Sequence, residues 1–213
     1  IIMRVTGVDR GFIGIEMNKP DAIEAMREAT KSEANISVVP LKVKYPQGWE
    51  NMLIKAILDR EVPPGGLPLD IGVVVSNVGT AAAISDAMRL GHPLIQRVVS
   101  VTGPGIARPR NLRVRIGTPF SDLIEQCGGF KGTARKVIAG GPMMGFAMFD
   151  MSVPVVKGTT NILVLSDKDV KIQDSRLCIK CGGCISVCPV GLMPTMIASL
   201  SKEKKFQEAE EYF

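Results

Sequence analysis

Apolar and polar positions in the first 94 residues switch repeatedly between helical and strand-like spacing. The pattern predicts helices over residues 20–31, 50–60 and 80–90, a strand over residues 36–43 and a buried strand over residues 71–76. The first helix begins at Pro20 and carries Asp21 in its first turn, where negative charge complements the helix dipole. Alternating helices and strands are typical of an open α/β domain.

The spacing of apolar positions changes near Pro93 and becomes mainly strand-like. The pattern predicts two strands joined through a Gly-Pro-Gly turn at Gly103, then a helix that ends at Gly128 and Gly129. These strands cover residues 97–102 and 111–116, the helix covers residues 120–126, and further strands cover residues 136–139 and 161–165. Two strands, one helix and more strands in a short stretch predict a small β-grasp domain.

The last part of the chain is dominated by cysteines. A polar run at Asp167 leads into the cysteine segment, and Pro194 begins a helical pattern that continues through Phe206 to the chain end. We therefore predict fold class α/β in three parts. They are an α/β domain over residues 1–94, a β-grasp domain over residues 95–166 and a small cluster-binding module over residues 167–213.

Composition and charge exclude several classes of protein. Of the 213 residues, 46% are hydrophobic and 22% charged, enough to bury a core in one or two domains. No stretch approaches the roughly 18 consecutive apolar residues of a membrane span, and no signal peptide is evident. The 26 basic and 21 acidic residues are interspersed, without a basic stripe between aromatic residues, so we expect no nucleic acid partner. These features predict a cytoplasmic protein that is soluble or peripheral to a membrane.

Four of the five cysteines form one run with the spacing C-x₂-C-x₂-C-x₃-C-P, which is typical of bacterial ferredoxins. Thiolates two residues apart can surround one cubane, and two glycines in the run let backbone N–H groups approach its sulfur atoms. Soft thiolate ligands favour iron-sulfur chemistry. The predicted ligands are Cys178, Cys181, Cys184 and Cys188.

Two alternatives and one open question accompany this prediction. A zinc site usually takes its ligands as two separated pairs, and a disulfide framework would distribute its cysteines along the chain. In two-cluster ferredoxins the fourth cysteine of such a run serves the other cluster, so the first three need a remote fourth ligand. The remaining cysteine, Cys127, ends an apolar helix pattern and is predicted to be a buried, inert thiol.

Several segments together carry a family resemblance. They are IEMNKP (residues 15–20), KYPQGWE (44–50), GLPLD (66–70), SNVGT (76–80), RVV (97–99), RIGTP (115–119), GGPMMG (140–145) and the cysteine run with GLMP (191–194). Through them essentially the whole chain resembles the C subunit of the Rnf-type ion-translocating electron transport complex. More distantly, it resembles the flavin- and NADH-binding subunit of respiratory complex I.

The resemblance implies an electron-transfer subunit of a membrane-associated oxidoreductase, peripheral to the cytoplasmic side of the cell membrane. Such a subunit takes hydride from NADH on FMN and passes single electrons into two 4Fe-4S clusters. Its implied partners are the other subunits of the complex and ferredoxin or a ferredoxin-like subunit. Residues 1–94 then become a partial flavin/NADH-binding domain, residues 95–166 an SLBB-like domain and residues 167–213 a truncated ferredoxin-like module. We assign no catalytic side chain, because the cofactors carry the chemistry.

The same resemblance assigns four flavin-binding residues. Gly48 and Glu50 match part of a glycine-glutamate loop beside the flavin. Asn77 and Thr80 match the ends of an Asn-Val-Glu-Thr segment near the isoalloxazine and its phosphate. Gly79 stands where that relative has Glu, so the acidic contact there is absent.

The residues alone leave structural alternatives open at both segments. Residues 76–80 lie between a predicted strand and a helix, where backbone N–H groups can hold a phosphate, but Thr80 can equally be an N-cap. Residues 45–50 form a Pro-Gly turn into a helix with Glu near its start. On pattern alone, helix capping is the simpler interpretation of both.

The two ends of the sequence support a further prediction. The chain begins at Ile1 and ends at Phe213 within a helical pattern, so we expect a fragment cut at both ends. The resemblance places a glycine-rich cofactor loop before Ile1 and a second cysteine run after Phe213. The fragment alone would then be inactive.

Two other functions remain open on the sequence. One is a soluble flavin and iron-sulfur NADH-dependent reductase, such as a cobalamin reductase. The other is a non-enzymatic wiring and docking subunit, in which only the clusters carry electrons. Flavin bound to the protein at its full natural length would exclude the wiring and docking function, and its absence would favour that function.

Overall fold

The computed structural model describes residues 1–170 and 177–212, which divide into two compact units, Ile1–Asp167 and Lys168–Phe213. Helices of the first unit are α1 (Ile2–Thr6), α2 (Pro20–Ala29), α3 (Glu50–Leu58), α4 (Val78–Leu90) and α5 (Phe120–Gln126). Its strands are β1 (Gly11–Glu16), β2 (Ile36–Leu41), β3 (Gln96–Thr102), β4 (Arg110–Arg115), β5 (Ala134–Ala139), β6 (Phe146–Met148) and β7 (Asn161–Ser166). The second unit contains α6 (Gly183–Ser186), α7 (Pro194–Lys202) and α8 (Phe206–Glu210).

The α/β part is built on two parallel strands. β1 and β2 pair from Gly11 opposite Ile36 to Glu16 opposite Leu41, and α2 forms the crossover between them. α3 packs closely on β1, because a Cβ atom added to Gly14 would come within 2.9 Å of Leu53. The predicted helices and the first predicted strand are confirmed here, with ends shifted by a few residues.

The predicted buried strand over residues 71–76 is wrong. A 3-10 helix occupies Pro68–Ile71 and ends at Gly72, whose φ of 68° is left-handed. Beyond it the chain has no regular structure until α4. A strand needs a neighbour for its backbone hydrogen bonds, and among the described residues this sheet contains only β1 and β2. Val73 and Val75 are therefore only half-buried.

The second sheet has the order β4-β3-β7-β5-β6 and packs one face on α5. β3 runs antiparallel to β4 and parallel to β7, and β5 runs antiparallel to both β7 and β6. The four strands and the helix that the pattern predicted here are confirmed, whereas the three-residue edge strand β6 was missed. The most deeply buried large side chains are Val99, Val101, Phe120, Leu123, Cys127, Val155, Ile162 and Val164.

Gly103 begins the turn between β3 and β4 at a close backbone approach. Gly103 has a φ of 112°, and a Cβ atom there would lie 2.2 Å from the carbonyl oxygen of Val164. Gly117 also has a positive φ, 97°, but its Cβ atom would meet nothing within 4 Å. The two positions therefore share the backbone strain of an L residue but differ in the steric clash.

We expect Gly103→Ala to lower the free energy of unfolding by about 1–3 kcal/mol more than Gly117→Ala, the usual cost of overpacking. Urea denaturation followed by circular dichroism measures both. Equal losses would show that the close approach to Val164 contributes nothing beyond the φ strain.

In the second unit, the helix that was predicted to run from Pro194 to the chain end is two helices, α7 and α8. α7 stops because Lys204 adopts a left-handed φ of 61°. The backbone N–H of Lys205 donates to the carbonyl of Leu200 at 2.9 Å, which completes a helix-ending Schellman motif with the Lys204 N–H and the Ser201 carbonyl. α8 then returns along α7, so that the N–H of Met193 reaches the carbonyl of Tyr212 at 3.3 Å.

Candidate cofactor sites

The first candidate segment is the turn that enters α3. Its backbone is closed by two hydrogen bonds, from Gln47 N–H to the Lys44 carbonyl and from Trp49 N–H to the Pro46 carbonyl, both at 2.9 Å. Gly48 is exposed, and a Cβ atom there would meet nothing within 4 Å, so a ligand can approach the backbone from solvent. Glu50 is exposed in the first turn of α3, where the helix dipole favours its charge.

The second candidate segment is the start of α4. The Oδ1 atom of Asn77 accepts the backbone N–H of Gly79 at 2.8 Å, which makes Asn77 the N-cap. The open alternative that Thr80 caps this helix is therefore wrong, because Thr80 lies inside the first turn. Asn77 and Thr80 are both exposed, at a helix end suited to an anion.

The structure does not join the two segments. Among residues 1–170 and 177–212 no hydrogen bond or ion pair connects the turn at Gly48 with the cap at Asn77. Each segment presents exposed groups at the N-terminus of a helix of nine or more residues. Their convergence on one flavin therefore remains a prediction.

Two polar side chains, Gln47 within the first segment and Asn51 directly after it, carry no signal of function in the sequence. Gln47 is only 3% exposed, and its Nε2 atom is buried without a hydrogen-bond partner. The Oδ1 atom of Asn51 is likewise buried and unpaired. A glutamine in a Pro-Gly turn looks like a solvated residue, so no signal in the sequence marks it. Buried unpaired amides are rare, and they fit a segment that binds a polar cofactor.

The cysteine run lies in a short, tightly turned stretch of the second unit. Cys178, Cys181 and Cys184 are exposed and Cys188 is partly exposed. Two backbone N–H groups already point at sulfur, from Lys180 to Cys178 Sγ at 3.4 Å and from Leu192 to Cys188 Sγ at 3.3 Å. N–H groups that point at thiolates also tune iron-sulfur clusters, so the donor set suits such a cluster.

Two residues of this run have unusual backbone conformations. Lys180 has a φ of 55° and Gly182 a φ of 75°, so two left-handed residues lie between the first and third cysteines. Within the described parts of the chain, no three Cys, His, Asp or Glu side chains are grouped closely enough to hold a metal ion. The assignment of Cys178, Cys181, Cys184 and Cys188 as ligands thus remains a prediction.

The fifth cysteine is confirmed as a buried thiol. Cys127 is 0% exposed in the core beneath the five-stranded sheet. Burial raises the pKa of its thiol, although the nearby charges of Arg110 and Arg108 oppose the shift. A protonated, enclosed thiol is a poor metal ligand and nucleophile.

No helix in the described parts of the chain has both the length and the apolar character that a membrane crossing requires. The longest of them, α4, has 13 residues.

Three family models match successive parts of the chain. Residues 1–86 match the FMN-binding domain of Nuo51, residues 98–147 match the SLBB domain, and residues 172–192 match a 4Fe-4S binding domain. Together with the mixture of helices and sheets, they confirm the predicted α/β fold class with FMN-binding, SLBB and ferredoxin-like parts.

Known relatives match almost the whole chain. The C subunit of the proton-translocating ferredoxin:NAD(+) oxidoreductase complex of Clostridium ljungdahlii is 50% identical over 213 residues, which are 100% of this chain and 46% of the relative. The C subunit of the corresponding Na(+)-translocating complex of Acetobacterium woodii is 48% identical over 210 residues, 99% of this chain and 47% of the relative. The C subunit of the ion-translocating oxidoreductase complex of Rhodobacter capsulatus is 47% identical over 197 residues, 91% of this chain and 38% of the relative. The chain thus spans about half the length of the relatives it matches, or less, and it belongs to the family of C subunits of Rnf-type ion-translocating electron transport complexes.

Proposed function

We propose that this protein is the electron-input subunit of a membrane-associated, ion-translocating oxidoreductase, in which electrons from NADH pass through FMN to 4Fe-4S clusters. The exposed cysteine run, with backbone N–H groups at two of its sulfur atoms, carries the proposal. The match of residues 1–86 to an FMN-binding domain supports the flavin part. The names of the relatives support ferredoxin and NAD(+) as the redox partners.

The chain's own residues bind and position cofactors in this proposal. Gly48 and Glu50 would bind FMN beside α3, and Asn77 and Thr80 would bind it at the start of α4. Bound flavin supplies the conversion of a hydride into single electrons. The four cysteines of the run would serve as iron ligands, with the backbone N–H groups of Lys180 and Leu192 near the sulfur atoms.

The proposed organisation follows the same assignment. An FMN/NADH-binding part covers residues 1–94, an SLBB-like part residues 95–166 and a ferredoxin-like part residues 167–213. The protein would lie on the cytoplasmic side of the membrane, against other subunits of the complex and near ferredoxin.

Substitutions at the two helix starts test the flavin site in the protein at its full natural length. We expect Asn77→Ala and Glu50→Ala each to weaken FMN binding or NADH oxidation, with the fold and the iron content unchanged. Asn77→Ala also removes a cap worth about 1 kcal/mol, so a small stability loss is expected in any case. Flavin fluorescence titration and NADH oxidation rates are the measurements.

Matched controls are available on exposed surface. Asn35→Ala and Glu33→Ala change the same residue types at exposed positions outside both segments, and should leave flavin binding unchanged. If Asn77→Ala lowers thermal stability but flavin content and activity stay normal, its role is structural. Protein that never binds flavin would support the wiring and docking function instead.

A further inference from the structure

Two buried amide atoms near Gly48 lack a hydrogen-bond partner and have no role in the function proposed above. Gln47 is 3% exposed and its Nε2 atom has no hydrogen-bond partner. The Oδ1 atom of Asn51 is also buried without one. Leaving a buried donor or acceptor unpaired costs about 1–3 kcal/mol each, so two such atoms close together in sequence need an explanation.

Their place in the chain puts both amides along the start of α3. Asn51 lies three residues before Ile54, which is 2% exposed, so the two occupy the same inward side of the helix. Gln47 precedes Asn51 by four residues, at the turn whose next residue, Gly48, is open to solvent. Both amides therefore lie within three residues of the open position Gly48 along the chain.

The chemistry of the two atoms narrows the ligand group. Nε2 can only donate a hydrogen bond and Oδ1 can only accept one. A phosphate at neutral pH offers acceptors but scarcely any donor, so it would leave Asn51 unpaired. An imide edge offers an N–H donor between two carbonyl acceptors, and the isoalloxazine ring of a flavin carries such an edge.

We propose that Gln47 and Asn51 are positioning residues that bind the imide edge of the flavin ring, Gln47 donating to a ring carbonyl and Asn51 accepting the ring N3–H. This inference rests on the proposed flavin site and adds the orientation of the ring within it. The unpaired state of both amides is then a stability cost that the bound ring relieves.

The first test measures stability without the cofactor. Gln47→Met and Asn51→Leu keep the approximate volume but remove the unpaired polar atoms, so each should raise the melting temperature of flavin-free protein. Gln96→Met, at an exposed strand position, is the matched control and should not change it. A lower melting temperature in both variants would show that the amides are paired in solution and would overturn the proposal.

The second test combines each variant with a modified ligand, in the protein at its full natural length. Wild type should bind FMN about five- to tenfold more tightly than N3-methyl FMN, the effect of one hydrogen bond. Asn51→Leu should bind the two ligands alike, and Gln47→Met should weaken FMN binding by about the same factor. Isothermal titration calorimetry measures all of these affinities.

The outcomes separate this inference from the function on which it rests. Wild type that binds FMN and N3-methyl FMN equally would overturn the ring orientation but leave the flavin site intact. Retained discrimination in Asn51→Leu would do the same. Wild type that binds neither ligand would refute the flavin site itself.

Discussion

Cys181→Ser and Cys188→Ser are expected to abolish different iron-sulfur signals in anaerobically reconstituted protein of full natural length. The x₃ spacing and Pro189 direct the chain away after the third cysteine, and in two-cluster ferredoxins the fourth thiolate serves the neighbouring cluster. In the structure the first and last cysteines of the run each accept a separate backbone N–H, Cys178 Sγ from Lys180 and Cys188 Sγ from Leu192. Electron paramagnetic resonance during stepwise reduction, with iron analysis, follows the two signals.

Cys127→Ala is the control for this experiment, because it removes the one cysteine buried in the core and outside the run. It should leave both signals and the iron content unchanged. If Cys181→Ser and Cys188→Ser removed the same signal and spared the other, all four thiolates would bind one cubane. The need for a remote fourth ligand would then disappear.

Among truncations of buried side chains to Ala in the five-stranded part, Phe120→Ala is expected to cause the largest loss of stability. Phe120 is 2% exposed at the start of α5, among the buried side chains of the core. Truncation to Ala removes most of a fully buried ring and leaves a cavity, at a cost of about 3–5 kcal/mol. Hydrogen exchange of amides in β3 and β7 measures this loss of stability within the five-stranded sheet itself.

Phe149→Ala makes the same chemical change on the surface, where the ring is 101% exposed. We expect it to alter exchange rates in β3 and β7 by little, because no buried contact is lost. Similar protection in both variants would mean that α5 does not close this core in solution.

Local signals in the chain account for most elements of the fold. The helical spacing behind Pro20 and the alternation in β3 and β4 involve residues a few positions apart, so they can be read without knowledge of the rest. The C-terminal end of α5 follows from the glycine pair after it, Gly128 and Gly129. The cysteine spacing is equally local, and it predicted an iron-sulfur module before any contact was known.

Long-range pairing explains one strand that the pattern predicted wrongly and one short strand that it missed. The apolar run over residues 71–76 has strand-like composition, but no described strand lies beside it. β6 exists only because Ala139 to Val137 on β5 pair with it, and its three residues carry too short a pattern to detect. Strand formation depends on a partner distant in sequence, so composition alone does not predict it.

The candidate site divides in the same way. Asn77 and Glu50 could be proposed from the sequence because helix starts and family motifs involve adjacent residues. The burial of Gln47 depends on how the chain packs around its turn, whereas the cap at Asn77 is a local hydrogen bond from Gly79. The residue types, their spacing and their chemistry are properties of the chain, whereas burial and unpaired atoms arise only when distant segments meet, and they require coordinates to be seen.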